Sequence, residues 1–148
     1  MLELKQIGKS FDGVPVLKDI SIRVEDGEIV SILGPSGCGK TTLLNIILGI
    51  LDADAGQILY NGEDLTRTPM EKRGFNIVFQ DYALFPNLNV RQNITYGLRN
   101  KPGISTDAEV QDMISLLGLG DHLNKRIDQL SGGQKQRVAL ARTLVMKP

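Results

Sequence analysis

Apolar and polar residues alternate along Leu2–Ile7 and again along Ile20–Val24, where Ile20, Ile22 and Val24 share one face and Ser21 and Arg23 the other. A period of two is that of a half-exposed strand, so two antiparallel strands are expected. Asp26-Gly27 reads as a turn. The run Ile29-Val30-Ser31-Ile32-Leu33 is almost continuously apolar and ends at Gly34, the pattern of a strand buried on both faces in a parallel sheet. A glycine-rich loop follows, then a helical pattern from about Gly39 to Leu51. Ile58-Leu59-Tyr60 before Asn61-Gly62 predicts a strand entering a tight hairpin, and Asn76–Phe79 is a further short apolar strand.

Beyond Gln80 the pattern turns helical. Asn89 with Gln92, Thr106 with Glu109, and Ser131 with Gln134 each match a capping box and mark three helix starts. The second helix carries Val110, Met113, Ile114 and Leu117 on one face, with Gly118 as its stop. The simplest division is a mixed β and α/β region to about residue 80, followed by a mainly helical one.

Composition adds limits. A chain of 148 residues with 41% apolar and 23% charged side chains suits one soluble globular domain. Lys+Arg and Asp+Glu balance at 17 each, so no global field attracts nucleic acid or an anionic membrane. Residues 1–74 carry 8 basic and 11 acidic side chains, and residues 75–148 carry 9 and 6, so the positive excess sits late. One cysteine, Cys38, forms no internal disulfide and fits a reducing compartment. The first residues lack the basic and apolar stretches of a secretory signal, and the Leu43–Leu51 stretch is too short to span a bilayer.

Gly34-Pro35-Ser36-Gly37-Cys38-Gly39-Lys40-Thr41 satisfies the phosphate-binding pattern G-x-x-x-x-G-K-[ST], between an expected strand and an expected helix. Its glycines let successive N–H groups converge on phosphate oxygens, where the helix N-terminus adds partial positive charge. Lys40 is placed to reach the β- and γ-phosphates, and the Thr41 hydroxyl to ligate Mg²⁺. Cys38 inside the loop reads as a small residue that fits. Its thiol has no histidine placed to assist catalysis, since His122 is the only one. Guanine specificity is disfavoured: Asn124-Lys125-Arg126-Ile127 breaks N-K-x-D at its last position, and no D-x-x-G occurs.

Leu130-Ser131-Gly132-Gly133-Gln134 lies 90 residues after Lys40. Ser131 caps a helix whose first glycines leave backbone N–H groups uncovered, making a second anion-binding terminus. With the phosphate loop, this pentapeptide resembles the signature of ATP-binding cassette (ABC) ATPases, and the resemblance covers the whole chain.

The resemblance implies an α/β fold: a P-loop NTPase core with a partial, mostly parallel sheet, an antiparallel β subdomain and an α-helical subdomain. It divides the chain into a nucleotide-binding core at about 1–80 and 130–148 and a helical subdomain at about 81–129. It implies ATP and Mg²⁺ as ligands and a homodimeric sandwich, in which one subunit's signature (Ser131, Gly132, Gly133, Gln134) closes over the γ-phosphate held by the other's loop. Ser36, Gly37, Cys38, Gly39, Lys40, Thr41 and Thr42 would hold the phosphates. Phe11 would stack on adenine beside Val16, and Gln80 would contact Mg²⁺ and the attacking water.

The Gln80–Phe85 segment resembles that of importer-type cassettes, where the membrane permease docks. The subunit would then be cytoplasmic, peripheral on the membrane's inner face, with no nucleic-acid partner. The family also has, after the signature helix, an apolar strand ending in Asp-Glu and later a histidine, and residues 1–148 contain neither. Asp81 is a weaker candidate for the missing Mg²⁺ ligand than Gln80 is for the hinge. The expectation is an amino-terminal portion that binds nucleotide, turns it over negligibly alone, and self-associates or is marginally stable. An ATP-holding regulator or a non-transport ABC protein is the alternative.

Overall fold

The computed structural model describes residues 1–148, which divide into two compact units, Met1–Phe75 and Asn76–Pro148. In the first, β1 (Leu2–Phe11) and β2 (Val14–Val24) form a hairpin, β3 (Ala55–Tyr60) pairs with β1, and β4 (Glu63–Asp64) pairs with β3. The sheet order is β2-β1-β3-β4, antiparallel throughout. Two turns set its register. Asn61-Gly62 joins β3 to β4 with both residues at positive φ, as the sequence anticipates. Asp12-Gly13 joins β1 to β2 in the same way, and that turn was not singled out from the sequence.

Helix α1 (Lys40–Leu48) shares a core with this sheet. Leu43 and Ile46, from the inward stripe of α1, are buried with Leu4, Ile7, Leu17, Ile58 and Leu65. The helix ends at Gly49, whose left-handed φ of 85° lets its N–H return to the carbonyls of the last turn. The short helix α2 (Met70–Arg73) contributes Arg73, only 5% exposed, whose guanidinium donates to the carbonyls of Ile46, Ile47, Thr66 and Thr68. Two of those carbonyls belong to the last turn of α1. A buried cation thus closes the negative end of that helix.

The strand expected at Ile29–Leu33 does not form. The segment takes part in no ladder, with Ile29 94% and Leu33 89% exposed. Asn76–Phe79 likewise has no ladder. A strand buried on both faces takes its hydrogen bonds and its cover from neighbouring strands, and no segment of residues 1–148 pairs with either.

The second unit is helical: α3 (Val90–Thr95), α4 (Asp107–Leu116) and α5 (Gly132–Leu144). All three expected capping boxes are present, with both reciprocal bonds at Asn89, Thr106 and Ser131. Val90 and Ile94 of α3, Val110 and Ile114 of α4, and Val138 and Ala141 of α5 are buried in one cluster. The sequence grouped residues 130–148 with the nucleotide-binding core, but here α5 shares its buried face with α3 and α4. Gly118, at φ 64°, ends α4 as anticipated, and Leu119 N–H returns to the Ile114 carbonyl.

Glu109 closes the α4 cap by accepting from Thr106 N–H at 2.8 Å and also pairs with Lys147 at 2.7 Å. The Lys147 hydrogen bond, then the Thr106 N–H, holds its carboxyl below the ordinary 4.5. A depressed acid stabilises the fold above its unfolded value and stops doing so as pH falls through its folded one. The start of α4 is therefore expected to fray below about pH 4.5 and not above it. Amide exchange at Thr106 and Glu109 against pH checks this.

Candidate functional site

The phosphate loop lies in the first unit, between the unpaired Ile29–Leu33 segment and α1. Gly37 and Gly39 have φ of 80° and 98°, conformations that a side chain rarely adopts. At Gly39 there is also no room: a Cβ would lie 2.9 Å from Leu17 Cδ2 and 3.1 Å from Val16 Cγ1. The loop therefore rests directly on β2, which brings Val16 beside it.

The first intrahelical bond of α1 runs from Leu43 N–H to Gly39 C=O, so the N–H groups of Lys40, Thr41 and Thr42 have no partner within the helix. The N-termini of α3, α4 and α5 are capped by side chains; that of α1 has neither a capping side chain nor an acid in its first turn. This is the donor set a phosphate group takes, so the residues fit one. Lys40 Nζ donates to the carbonyls of Gly34, at 2.5 Å, and Pro35, at 2.8 Å, and lies 3.5 Å from Cys38 Sγ. Its ammonium is thus held inside the curve of the loop. Ser36 and Thr41 are exposed and Thr42 is half-buried.

Phe11 ends β1, beside the Asp12-Gly13 turn, with its ring 43% exposed and Lys9 Nζ 5.4 Å from its centroid. An exposed aromatic face of this kind can hold a base.

Gln80 is an exposed residue of the second unit, at the head of a segment that α5 and α3 hold in place. Tyr82 and Ala83 both adopt positive φ, 64° and 43°, and Arg142 of α5 donates to both of their carbonyls, at 3.0 and 2.7 Å. Burial lowers the Arg142 pKa. The same guanidinium lies 5.9 Å from the ring of Phe85, which packs on Tyr96 at 4.5 Å. Behind it, fully buried Asn93 accepts from Phe85 N–H at 2.8 Å and donates to the carbonyls of Phe85, Leu88 and Asn89. Replacing Asn93 by alanine strands these groups, and is expected to cost about 3 kcal/mol. Thermal unfolding measures the loss, and amide exchange should place it at Phe85–Asn89.

Neither Asn93 nor Arg142 stood out in the sequence. Their partners are backbone carbonyls, which no side-chain motif reveals.

At the signature, Ser131 Oγ accepts from Gln134 N–H, and Gln134 Oε1 accepts from Ser131 N–H at 2.9 Å. Gly132 and Gly133 are exposed, with nothing within 4 Å of where a Cβ would stand, so an outside group can approach their backbone closely.

A family model described as "ABC transporter" matches residues 17–148. The spermidine/putrescine import ATP-binding protein PotA of Spiroplasma citri is 51% identical over all of this chain and 43% of its own length. The protein of the same name from Mycoplasma capricolum is 52% identical over the same shares. The chain thus spans less than half the length of these relatives. Among solved structures, cbiO1 from Clostridium perfringens, part of the ABC transporter complex cbiONQ, aligns with a TM-score of 0.88 and 33% identity, over 99% of this chain and 62% of that one. The dimeric ATP-binding cassette MJ0796 bound to ADP and Pi aligns at 0.82 and 32%, over 100% and 71%.

Proposed function

From the fact that this chain belongs to the ABC transporter family, we propose that it is the nucleotide-gripping and signature-bearing part of an importer's ATP-binding subunit. The uncapped N-terminus of α1, at the end of a G-x-x-x-x-G-K-T loop, is the observation that carries the reading. The relatives named for spermidine and putrescine import supply the solute class, polyamines.

On this reading the N–H groups of residues 37–42 cradle the phosphates and the Lys40 ammonium leaves Gly34 and Pro35 for the β- and γ-oxygens. The Thr41 hydroxyl would hold Mg²⁺, and Gln80, by the family resemblance alone, would be a further Mg²⁺ contact. Bound Mg²⁺ supplies charge neutralisation along the phosphates. Phe11 stacks on the adenine, with Val16 flanking the nucleotide. A second copy presents its Ser131–Gln134 terminus to the γ-phosphate, which answers why one chain carries two anion-binding helix ends. The Gln80–Phe85 segment, with its exposed Phe85, is the surface offered to the permease. No helix here is long and apolar enough to cross a membrane.

Phosphoryl transfer rests on positioning and charge stabilisation. With no Asp-Glu pair after the signature among these residues, binding without turnover is expected. The test is Mg-ATP binding by calorimetry together with phosphate release, each with and without Lys40→Ala. Binding lost in the variant and negligible release support the reading. Release that requires Lys40 would place the water-activating function within residues 1–148, and no binding at all would refute the nucleotide grip.

A further inference from the structure

The Phe11 ring is held by a charge rather than by the core. It belongs to neither buried cluster and meets no other aromatic ring. An exposed ring at the end of a strand turns about its side-chain bonds unless something fixes it. What lies over it is the Lys9 ammonium, 5.4 Å from its centroid.

Lys9 precedes Phe11 by two residues in β1 and so lies on the same face of the strand. Its side chain is only 13% exposed, low for a lysine. Nζ donates to Asp54 Oδ1 at 3.1 Å. Asp54 is itself tied to the residues on either side of Lys9. Its N–H donates to the Gly8 carbonyl at 2.8 Å, and its Oδ2 accepts from Ser10 N–H at 2.7 Å. Three consecutive residues of β1 thus bind one acid, and that acid holds the ammonium over the ring. The Ser10 N–H, then the Lys9 ammonium, keeps the Asp54 carboxyl below its ordinary 3.8, so it is an anion at neutral pH.

The same end of the hairpin meets the phosphate loop. The β1–β2 register steps from Lys9↔Leu17 to Ser10↔Pro15, which leaves Val16 as a bulge, and Gly39 rests on that residue. Phe11 pairs with Val14 just beyond it.

From this arrangement we infer that Lys9, anchored by Asp54, is a positioning residue for base recognition: its ammonium takes one face of the Phe11 ring and fixes the ring's plane, leaving the opposite face set for a purine. The attraction of a cation for the electron-rich face supplies the hold, and a ring already fixed loses less freedom when a base stacks on it. The inference rests on the reading that Phe11 stacks on adenine. On it, Lys9 acts through Phe11 and not on the phosphates.

The test uses the 148-residue chain and compares Mg-ATP with Mg-tripolyphosphate, which carries the phosphates without a base. Calorimetry follows the unaltered protein, Phe11→Ala, Lys9→Met and the double variant. Methionine keeps much of the lysine stem and drops the charge. Phe11→Ala should weaken Mg-ATP about tenfold and Lys9→Met about fivefold, with Mg-tripolyphosphate unchanged in both. In the double variant Lys9→Met should add nothing, because the ring it positions is gone. An exposed ion pair adds little to folding, so a thermal scan of Lys9→Met should stay close to that of the unaltered protein. Without nucleotide, NMR should find the Lys9 ε-CH₂ protons shifted upfield by the ring. That shift should vanish in Phe11→Ala and shrink in Asp54→Asn. Lys9→Met that leaves Mg-ATP affinity unchanged, weakens tripolyphosphate as much, or acts equally without the ring overturns the inference, while a selective loss in Phe11→Ala still upholds stacking. Phe11→Ala without effect on Mg-ATP, or no Mg-ATP binding at all, overturns the stacking reading and the inference together. An unshifted Lys9 ε-CH₂ signal overturns the inference whatever the affinities.

Discussion

Lys40→Ala is expected to weaken Mg-ATP binding about 100-fold and to leave the folded state close to its present stability. Lys40 Nζ now donates to the Gly34 and Pro35 carbonyls, which are exposed and can turn to water when the ammonium is removed. Stability therefore changes little. The phosphates have no such substitute. A charge-assisted bond between an ammonium and a phosphate oxygen is worth about 1.5–3 kcal/mol, and losing the upper end of that range is about two orders of magnitude in Kd. Calorimetric titration with Mg-ATP reads the affinity, and a thermal scan of the same samples reads the fold. A Kd within about threefold of the unaltered protein would mean that the loop N–H groups alone hold the nucleotide.

Arg73→Met is expected to destabilise the first unit by about 3 kcal/mol. The guanidinium serves four carbonyls at 2.7 to 3.1 Å, and methionine fills much of its volume while donating to none. Burial lowers the Arg73 pKa from its ordinary value and Asp52 opposes that shift, yet the group remains a cation. The loss should appear first in α1. Hydrogen exchange is expected to accelerate along Lys40–Leu48 while α5, in the other unit, keeps its protection. Since α1 presents the N–H groups of the phosphate loop, nucleotide affinity should fall as well, although Arg73 belongs to no proposed binding residue set. Arg73→Lys should recover part of the stability, because an ammonium can serve only some of the four oxygens.

These two residues show what a sequence discloses. Lys40 drew notice because the phosphate-binding pattern fills eight consecutive positions. The caps at Asn89, Thr106 and Ser131 were legible because each is a bond between residues three apart. Arg73 was not, since its partners lie up to 27 residues away and are main-chain atoms that look alike in every sequence. Asn93 and Arg142 were hidden because their partners, too, are main-chain atoms. The error at Ile29–Leu33 is of another kind. Its apolar run specified a strand correctly in composition, but a strand is a relation between segments, and the pattern of one partner does not supply the other.

That bare segment has a consequence for the protein's life on the ribosome. Synthesis adds about 5–20 residues per second, so later segments arrive seconds after Leu33. Meanwhile Ile29-Val30-Ser31-Ile32-Leu33 is a short, uncharged, β-prone stretch. Such stretches nucleate pairing between chains. Glu25, Asp26 and Glu28 stand immediately before it, three acids within four residues, and act as gatekeepers that repel a like neighbour. Nascent chains crowded on one message are thereby kept apart by charge while this hydrophobic run waits for cover.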